Sequence, residues 1–282
     1  MKNITVLGAG QMGSGIAQVS ALAGFNVIIR DIEQKFIDKG ISFIVKNLNG
    51  LAKKGKITDD EKEKIISRIK GVVSMEDACA EADIVIEAVI EDIELKKRVF
   101  KELDDICPAS TIFASNTSSL SISEMASATK RPEKVVGMHF FNPVPVMKLV
   151  EVIRGLSTSK ETVEEVLDLA KSLKKIPIEV KEAPGFAVNR ILVPMLNDAI
   201  NVLMEGVATK EDIDTGMKLG CNHPMGPLEL ADFIGLDTIL SIMEFYYAEF
   251  GDPKYRPSTL LRQMVRAGYL GKKTGKGFYD YS

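Results

Sequence analysis

Two histidines and three cysteines are a thin supply of soft metal ligands for a chain of 282 residues. Cys79, Cys107 and Cys221 lie far apart, make no C-x-x-C and match no zinc spacing. That pattern excludes a disulfide framework and a structural metal centre, and it suits a reducing cytoplasm. Excess charge of one sign is also missing. Thirty-six basic residues stand against 39 acidic ones, a net charge of −3, so no whole-chain field would draw nucleic acid. No apolar run approaches the roughly 20 residues that span a bilayer. The start, "MKNITVLGAG", is too short and too glycine-rich for a secretory leader. A Walker A loop, a G-x-S-x-G elbow, internal repeats and low-complexity tracts are all lacking. The expectation is a soluble cytoplasmic protein with no metal, no nucleic acid and no membrane partner.

What the chain does have is alternation. Short apolar runs at 4–8, 27–31, 71–74, 83–89, 111–115, 134–140, 148–153 and 177–180 are separated by helical patterns. The early runs are almost continuously apolar, as strands are when helices cover both faces of a parallel sheet. The pattern predicts an α/β, Rossmann-type doubly wound domain. Thr58 with Glu61, Ser121 with Glu124, and Thr158 with Glu161 have capping-box spacing at helix starts.

Residues 32–70 are too many for one crossover helix. Ile37, Ile41, Ile44, Leu48 and Leu51 form one stripe, and Ile65, Ile66 and Ile69 another, which predicts a projecting helical hairpin. Lys46, Lys53, Lys54 and Lys56 cluster near its tip, either as a solvated face or as a landing site for a polyanion. After Pro184-Gly185 the strand signals stop. Helices are expected from Phe186 to Glu205, with a kink at Pro194, and at 209–219, 227–250 and 257–268. The length and this change of character give two domains, 1–184 for a dinucleotide and 185–282 all helical.

Gly8, Gly10 and Gly13 form a G-x-G-x-x-G directly after the first strand and at the start of a helix. In that context the glycines allow a tight turn, close approach of a pyrophosphate, and close packing of helix on strand. Asp31 ends the next strand, placed to accept from an adenosine ribose hydroxyl and so to favour NAD, although Arg30 beside it could serve a 2′-phosphate. His139 and Glu151 sit in successive strand runs, with Pro143 and Pro145 between them. Position 145 is their midpoint, so an antiparallel fold-back makes them cross-strand neighbours. A carboxylate beside an imidazole suits a general acid–base; spacing alone leaves a chance pairing at a sheet edge equally open. In "SNTSSLS", Asn116, Ser118 and Ser119 lie where α/β ligands bind and also read as turn residues, and Ser121 as a helix cap. Asn189, polar in an apolar helical run, reads either as a satisfied core amide or as a reach toward substrate. His223, before a proline in a loop, reads as structural.

Taken together, "GAGQMGSGIA", "SNTSSLSI", "HFFNPVPVMKLVEVI", "PGFAVNRILVPMLNDAINVLMEG", "NHPMGPLELADFIGLD" and "GKKTGKGFYDY" resemble the 3-hydroxyacyl-CoA dehydrogenase family end to end. Within it the chain is most similar to short bacterial members of butyrate fermentation, which lack a fused hydratase and act on 3-hydroxybutyryl-CoA. The resemblance implies His139 as acid–base, Glu151 as its orienting partner, and Asn189 and Ser118 near the substrate oxygen. It implies NAD(H) as cofactor, with Gly8, Gly10, Gln11, Met12, Gly13 and Asp31 holding one end. Glu91, Lys96 and Asn142 would line the nicotinamide side and Lys273 would make a peripheral contact. It also implies coenzyme A at the hairpin, near Lys53 and Lys54, and a homodimer formed through the helical domain. Glu182 and Ala183 stand where members often carry Asp and another residue, and Asp198 where many carry Glu. A β-hydroxyacid dehydrogenase, an imine reductase or a non-catalytic dinucleotide binder remain the rival readings of the glycine loop; the first two typically rely on a lysine.

Overall fold

The computed structural model describes residues 1–282, which divide into two compact units, Met1–Ala183 and Pro184–Ser282. In the first unit, β1 (Asn3–Leu7), α1 (Gln11–Leu22), β2 (Asn26–Arg30), α2 (Gln34–Lys53), α3 (Asp59–Ile66) and β3 (Ile69–Val72) come first. Next are α4 (Met75–Cys79), β4 (Ile84–Glu87), α5 (Ile93–Ile106), β5 (Ile112–Ser115) and α6 (Ile122–Ala126). The unit closes with β6 (Val135–Phe140), β7 (Leu149–Arg154), α7 (Lys160–Ser172) and β8 (Ile176–Lys181).

The eight strands form one sheet in the order β3-β2-β1-β4-β5-β6-β7-β8. The first six are parallel, β7 runs antiparallel to β6, and β8 is parallel to β7. Every residue of β4, β5 and β6 is buried, which explains why they are apolar apart from Glu87, Ser115 and His139. The strand order reverses between β1 and β4, the switch point outside which α/β folds bind ligands. Helix α2 buries Ile37, Ile44 and Leu48, and α3 buries Ile65; Ile44, Leu48 and Ile65 join the core that includes Ile4, Val6, Ile29 and Ile86.

Three local expectations need correction. Ile69 opens β3 rather than closing a helix, because it pairs with Val27 at the sheet edge. Thr58 and Glu61 complete a capping box, but Thr158 does not cap: Ser159 accepts from the Thr162 amide, while the Thr158 hydroxyl donates to the Val135 carbonyl. The helix expected at 227–250 is two helices, broken where Gly235 takes φ +106°.

The second unit holds α8 (Val188–Met204), α9 (Lys210–Gly220), α10 (Pro227–Ile234), α11 (Leu236–Phe250) and α12 (Thr259–Arg266). Helix α8 runs through Pro194. Leu196, Ile200, Leu228, Ile239, Met243 and Tyr246 lie in its core. Two buried aspartates tie down the end of the chain: Asp232 accepts from the amides of Phe278 and Tyr279, and Asp214 from the Tyr279 hydroxyl.

Candidate active site

At the switch point the glycine loop has the shape its spacing requires. Gly8 has φ +98°, and a Cβ there would stand 2.5 Å from the Ala88 carbonyl oxygen. A Cβ on Gly13 would overlap the Gly8 carbonyl oxygen at 1.8 Å, so α1 packs directly on the loop. Around Gly10 a Cβ would meet nothing within 4 Å, and no side chain caps α1. Its first N–H groups are therefore left to an anion. Beside the loop is a cleft of about 740 Å³, lined among others by Gly10, Gln11, Asp31, Phe36, Ala88 and Ile90.

Asp31 accepts from the amides of Ala9 and Ile32, both at 2.7 Å, one on each oxygen. A carboxylate has about four acceptor positions, so it retains capacity for ribose hydroxyls. Arg30, which also lines the cleft, donates its Nε to the Val73 carbonyl at 3.0 Å. These features fit a dinucleotide. Met12 is half-buried against the core, and Gln11 donates to the Asn142 side chain at 3.0 Å, linking the loop to the turn after β6.

His139 and Glu151 are direct register partners on β6 and β7. His139 Nδ1 lies 2.8 Å from Glu151 Oε2, with side-chain exposures of 7% and 0%. The imidazole also meets the Phe141 ring at 4.6 Å between centroids. The intervening turn contains a cis Asn142–Pro143 bond and closes through the Val146 amide on the Pro143 carbonyl. Its underside is held by Lys175, which the sequence reading did not single out. The Lys175 amine donates to the carbonyls of Val144 and Met147, and burial holds it below the usual lysine range.

A second polar group sits at the carboxyl ends of β4 and β5. Glu91 accepts from the Thr117 hydroxyl at 2.5 Å and the Ser118 amide at 3.0 Å, and Lys96 Nζ lies 3.2 Å from its other oxygen. Lys96 also reaches Glu87 at 2.6 Å. Glu87 was missed in the sequence, hidden in the apolar run "DIVIEAV". Asn116 accepts from the Phe140 amide at 2.9 Å, bridging β5 to the strand that carries His139. Ser121 caps α6 and also donates to Glu182, which accepts from Ser123 too.

The remaining sequence candidates lie apart from this edge or in the second unit. Lys53 and Lys54 are exposed at the end of α2, where Lys53 borders a groove of about 600 Å³ shared with Ile41, Lys46 and Asn49. Asn189 is half-buried in the first turn of α8. Lys273 is ion-paired with Asp237 at 2.6 Å.

Comparison with known proteins bears on this arrangement. Residues 3–183 match the family "3-hydroxyacyl-CoA dehydrogenase, NAD binding domain", and residues 185–281 match "3-hydroxyacyl-CoA dehydrogenase, C-terminal domain". The chain is 57% identical over 281 residues to a probable 3-hydroxybutyryl-CoA dehydrogenase of Bacillus subtilis, covering 100% of this chain and 98% of the relative. It is 54% identical over 279 residues to the 3-hydroxybutyryl-CoA dehydrogenase of Clostridioides difficile, covering 99% of each. Its fold superposes with a TM-score of 0.98 on the crystal structure of (S)-3-hydroxybutyryl-CoA dehydrogenase from Ralstonia eutropha, at 54% identity and covering 100% and 99% of the two chains.

Proposed function

The chain belongs to the 3-hydroxyacyl-CoA dehydrogenase family, and from that premise we propose that it interconverts (S)-3-hydroxybutyryl-CoA and acetoacetyl-CoA with His139 as general acid–base. The family carries out NAD-dependent oxidation of 3-hydroxyacyl-CoA esters, and residues 3–183 are its NAD-binding domain. The observation that carries the residue-level proposal is the buried His139–Glu151 pair, 2.8 Å apart on adjacent antiparallel strands.

Bound at the glycine loop, NAD would supply the acceptor for the hydride of C3. His139 takes the proton of the C3 hydroxyl as that hydride leaves. With Nδ1 committed to Glu151, Nε2 is the nitrogen that exchanges the proton with substrate, and Glu151 balances the imidazolium that forms. In the reverse direction the protonated imidazole donates its proton to the C3 oxygen. Ser118 and Asn189 are assigned hydrogen bonds near the substrate oxygen. Gly8, Gly10, Gln11, Met12, Gly13 and Asp31 are assigned one end of the cofactor, and Glu91, Lys96, Asn142 and Lys273 the other contacts. Lys53 and Lys54 are assigned to coenzyme A.

No helix is long and apolar enough to cross a membrane, and we place the enzyme in the cytoplasm. Exposed apolar side chains on the second unit, among them Ile191 at 73% and Leu219 at 83%, support a homodimer built through that unit. The test is NADH oxidation with acetoacetyl-CoA, compared with longer 3-ketoacyl-CoAs and with free 3-keto acids. For His139→Ala turnover falls about 10²–10⁴-fold; a fall of less than about tenfold removes His139 from the role.

A further inference from the structure

We propose that Glu87 is a positioning residue for the cofactor: it holds Lys96, and through Lys96 it sets Glu91 and the turn at Thr117–Ser118. Glu87 is the last residue of β4 and pairs in register with Leu7 on one side and Ser115 on the other. It therefore stands at the switch point between β1 and β4, under the mouth where the ligand of such a sheet lies. The next residues, Ala88, Val89 and Ile90, line the cleft together with the glycine loop.

Glu87 is wholly buried and Lys96 is 1% exposed. One Glu87 oxygen accepts from Lys96 Nζ at 2.6 Å and the Val89 amide at 2.7 Å, and the other from the Ser115 hydroxyl at 2.6 Å. A buried ion pair adds little to stability over apolar side chains of the same volume. Its three neighbours in β4, Ile84, Val85 and Ile86, are apolar. Stability is thus weak grounds for keeping such a pair here, and the group that the carboxylate orients is the better one.

That group reaches the surface. Lys96 Nζ lies 3.2 Å from Glu91 Oε2, and the Glu91 side chain is 38% exposed. Glu91 Oε1 meanwhile gathers Thr117 Oγ1 and the Ser118 amide. With Glu87 neutralising the ammonium, Glu91 keeps its own charge for polar groups at the mouth. Without Glu87, Lys96 has Glu91 as its remaining carboxylate, and Glu91 is drawn off the turn it orders.

The assignment rests on reading Glu91 and Lys96 as cofactor contacts. Its test reads NADH binding by fluorescence titration of the full chain with no acyl-CoA present, so a wrong acyl substrate leaves it untouched. Glu87→Gln is expected to weaken NADH binding about tenfold or more, which is about 1.4 kcal/mol or more. Lys96→Met weakens it as well, and Glu87→Gln added to Lys96→Met brings no further loss. Folded Glu87→Gln binding NADH within about twofold of the parent overturns the proposal, as does a further tenfold loss in the double variant. Lys96→Met binding like the parent overturns both the cofactor role of Lys96 and the proposal. If Glu87→Gln does not fold, the apolar pair Glu87→Leu with Lys96→Met replaces it. Equality with Lys96→Met supports the proposal, and a further tenfold weakening overturns it.

Discussion

Replacing Glu151 with Gln tests the acid–base pair without moving it. The amide has the shape of the carboxylate, and its oxygen can still accept from His139 Nδ1 at the 2.8 Å separation. What disappears is the negative charge opposite the imidazolium. With charge centres about 4 Å apart and an effective dielectric of about 20, the attraction is about 4 kcal/mol. If that stabilisation is felt fully when the proton is on His139, its loss is worth about three decades of rate. The expected fall in turnover is therefore about 10²–10³-fold, within the range such catalysis contributes. The assay is the initial rate of NADH consumption at saturating acetoacetyl-CoA, with thermal melting to show that the variant is folded. Glu151→Asp separates the two roles: it keeps the charge but withdraws it by one methylene, so its loss is smaller than that of the Gln variant if charge dominates. A folded Glu151→Gln enzyme within about tenfold of the parent refutes the electrostatic role.

Asp31→Ser removes the carboxylate that would face a 2′-phosphate, so the ratio of kcat/KM for NADPH to that for NADH should rise at least about tenfold; an unchanged ratio shows that discrimination lies elsewhere. Lys175→Met leaves the carbonyls of Val144 and Met147 without their buried donor. Urea unfolding should register a loss of about 1–3 kcal/mol, and turnover should fall with it because the turn carries Asn142. The Tyr279 hydroxyl, whose ionisation is pushed up chiefly by burial and then by its bond to Asp214, stays protonated in the folded chain at pH values where the unfolded tyrosine, near 10.0, has lost its proton. The folded state then holds more protons than the unfolded one, so this contribution is complete below pH 10.0 and fades as pH rises through the folded value. The stability gap between the parent and Tyr279→Phe should shrink above that pH in urea titrations; a gap that widens contradicts the sign.

Much of this site was legible because its key pair is antiparallel. A short connection fixes register by arithmetic: position 145 is the midpoint of 139 and 151, and the strands fold about it. Parallel pairs carry no such signal, since a helix separates the strands and their register is set by packing; the alternation predicted a doubly wound domain, and the strand order came only with the structure. Gly235 lay inside an apolar helical pattern, and only its positive φ shows that the pattern is two helices. Thr158 and Ser159 are adjacent residues that can both cap, and tertiary demand decides between them, because the Val135 carbonyl claims the Thr158 hydroxyl. Lys175 escaped notice because its partners are backbone carbonyls of a distant turn, which no side-chain type marks. Glu87 bore the same signal that exposed Glu151, one acid in a strand of aliphatic residues. Glu151 was seen because a histidine faced it across a computable hairpin. The partner of Glu87 is a lysine on a helix, and lysines on helices are ordinarily solvated, so only the family resemblance set Lys96 apart from Lys97 beside it, and it did so without pointing to Glu87. The fold separates them: α5 turns Val99, Phe100 and Leu103 inward, and Lys96 shares that face. In this chain the acid that ends the fully buried β4 at the switch point is met by a cation on the apolar face of the following helix.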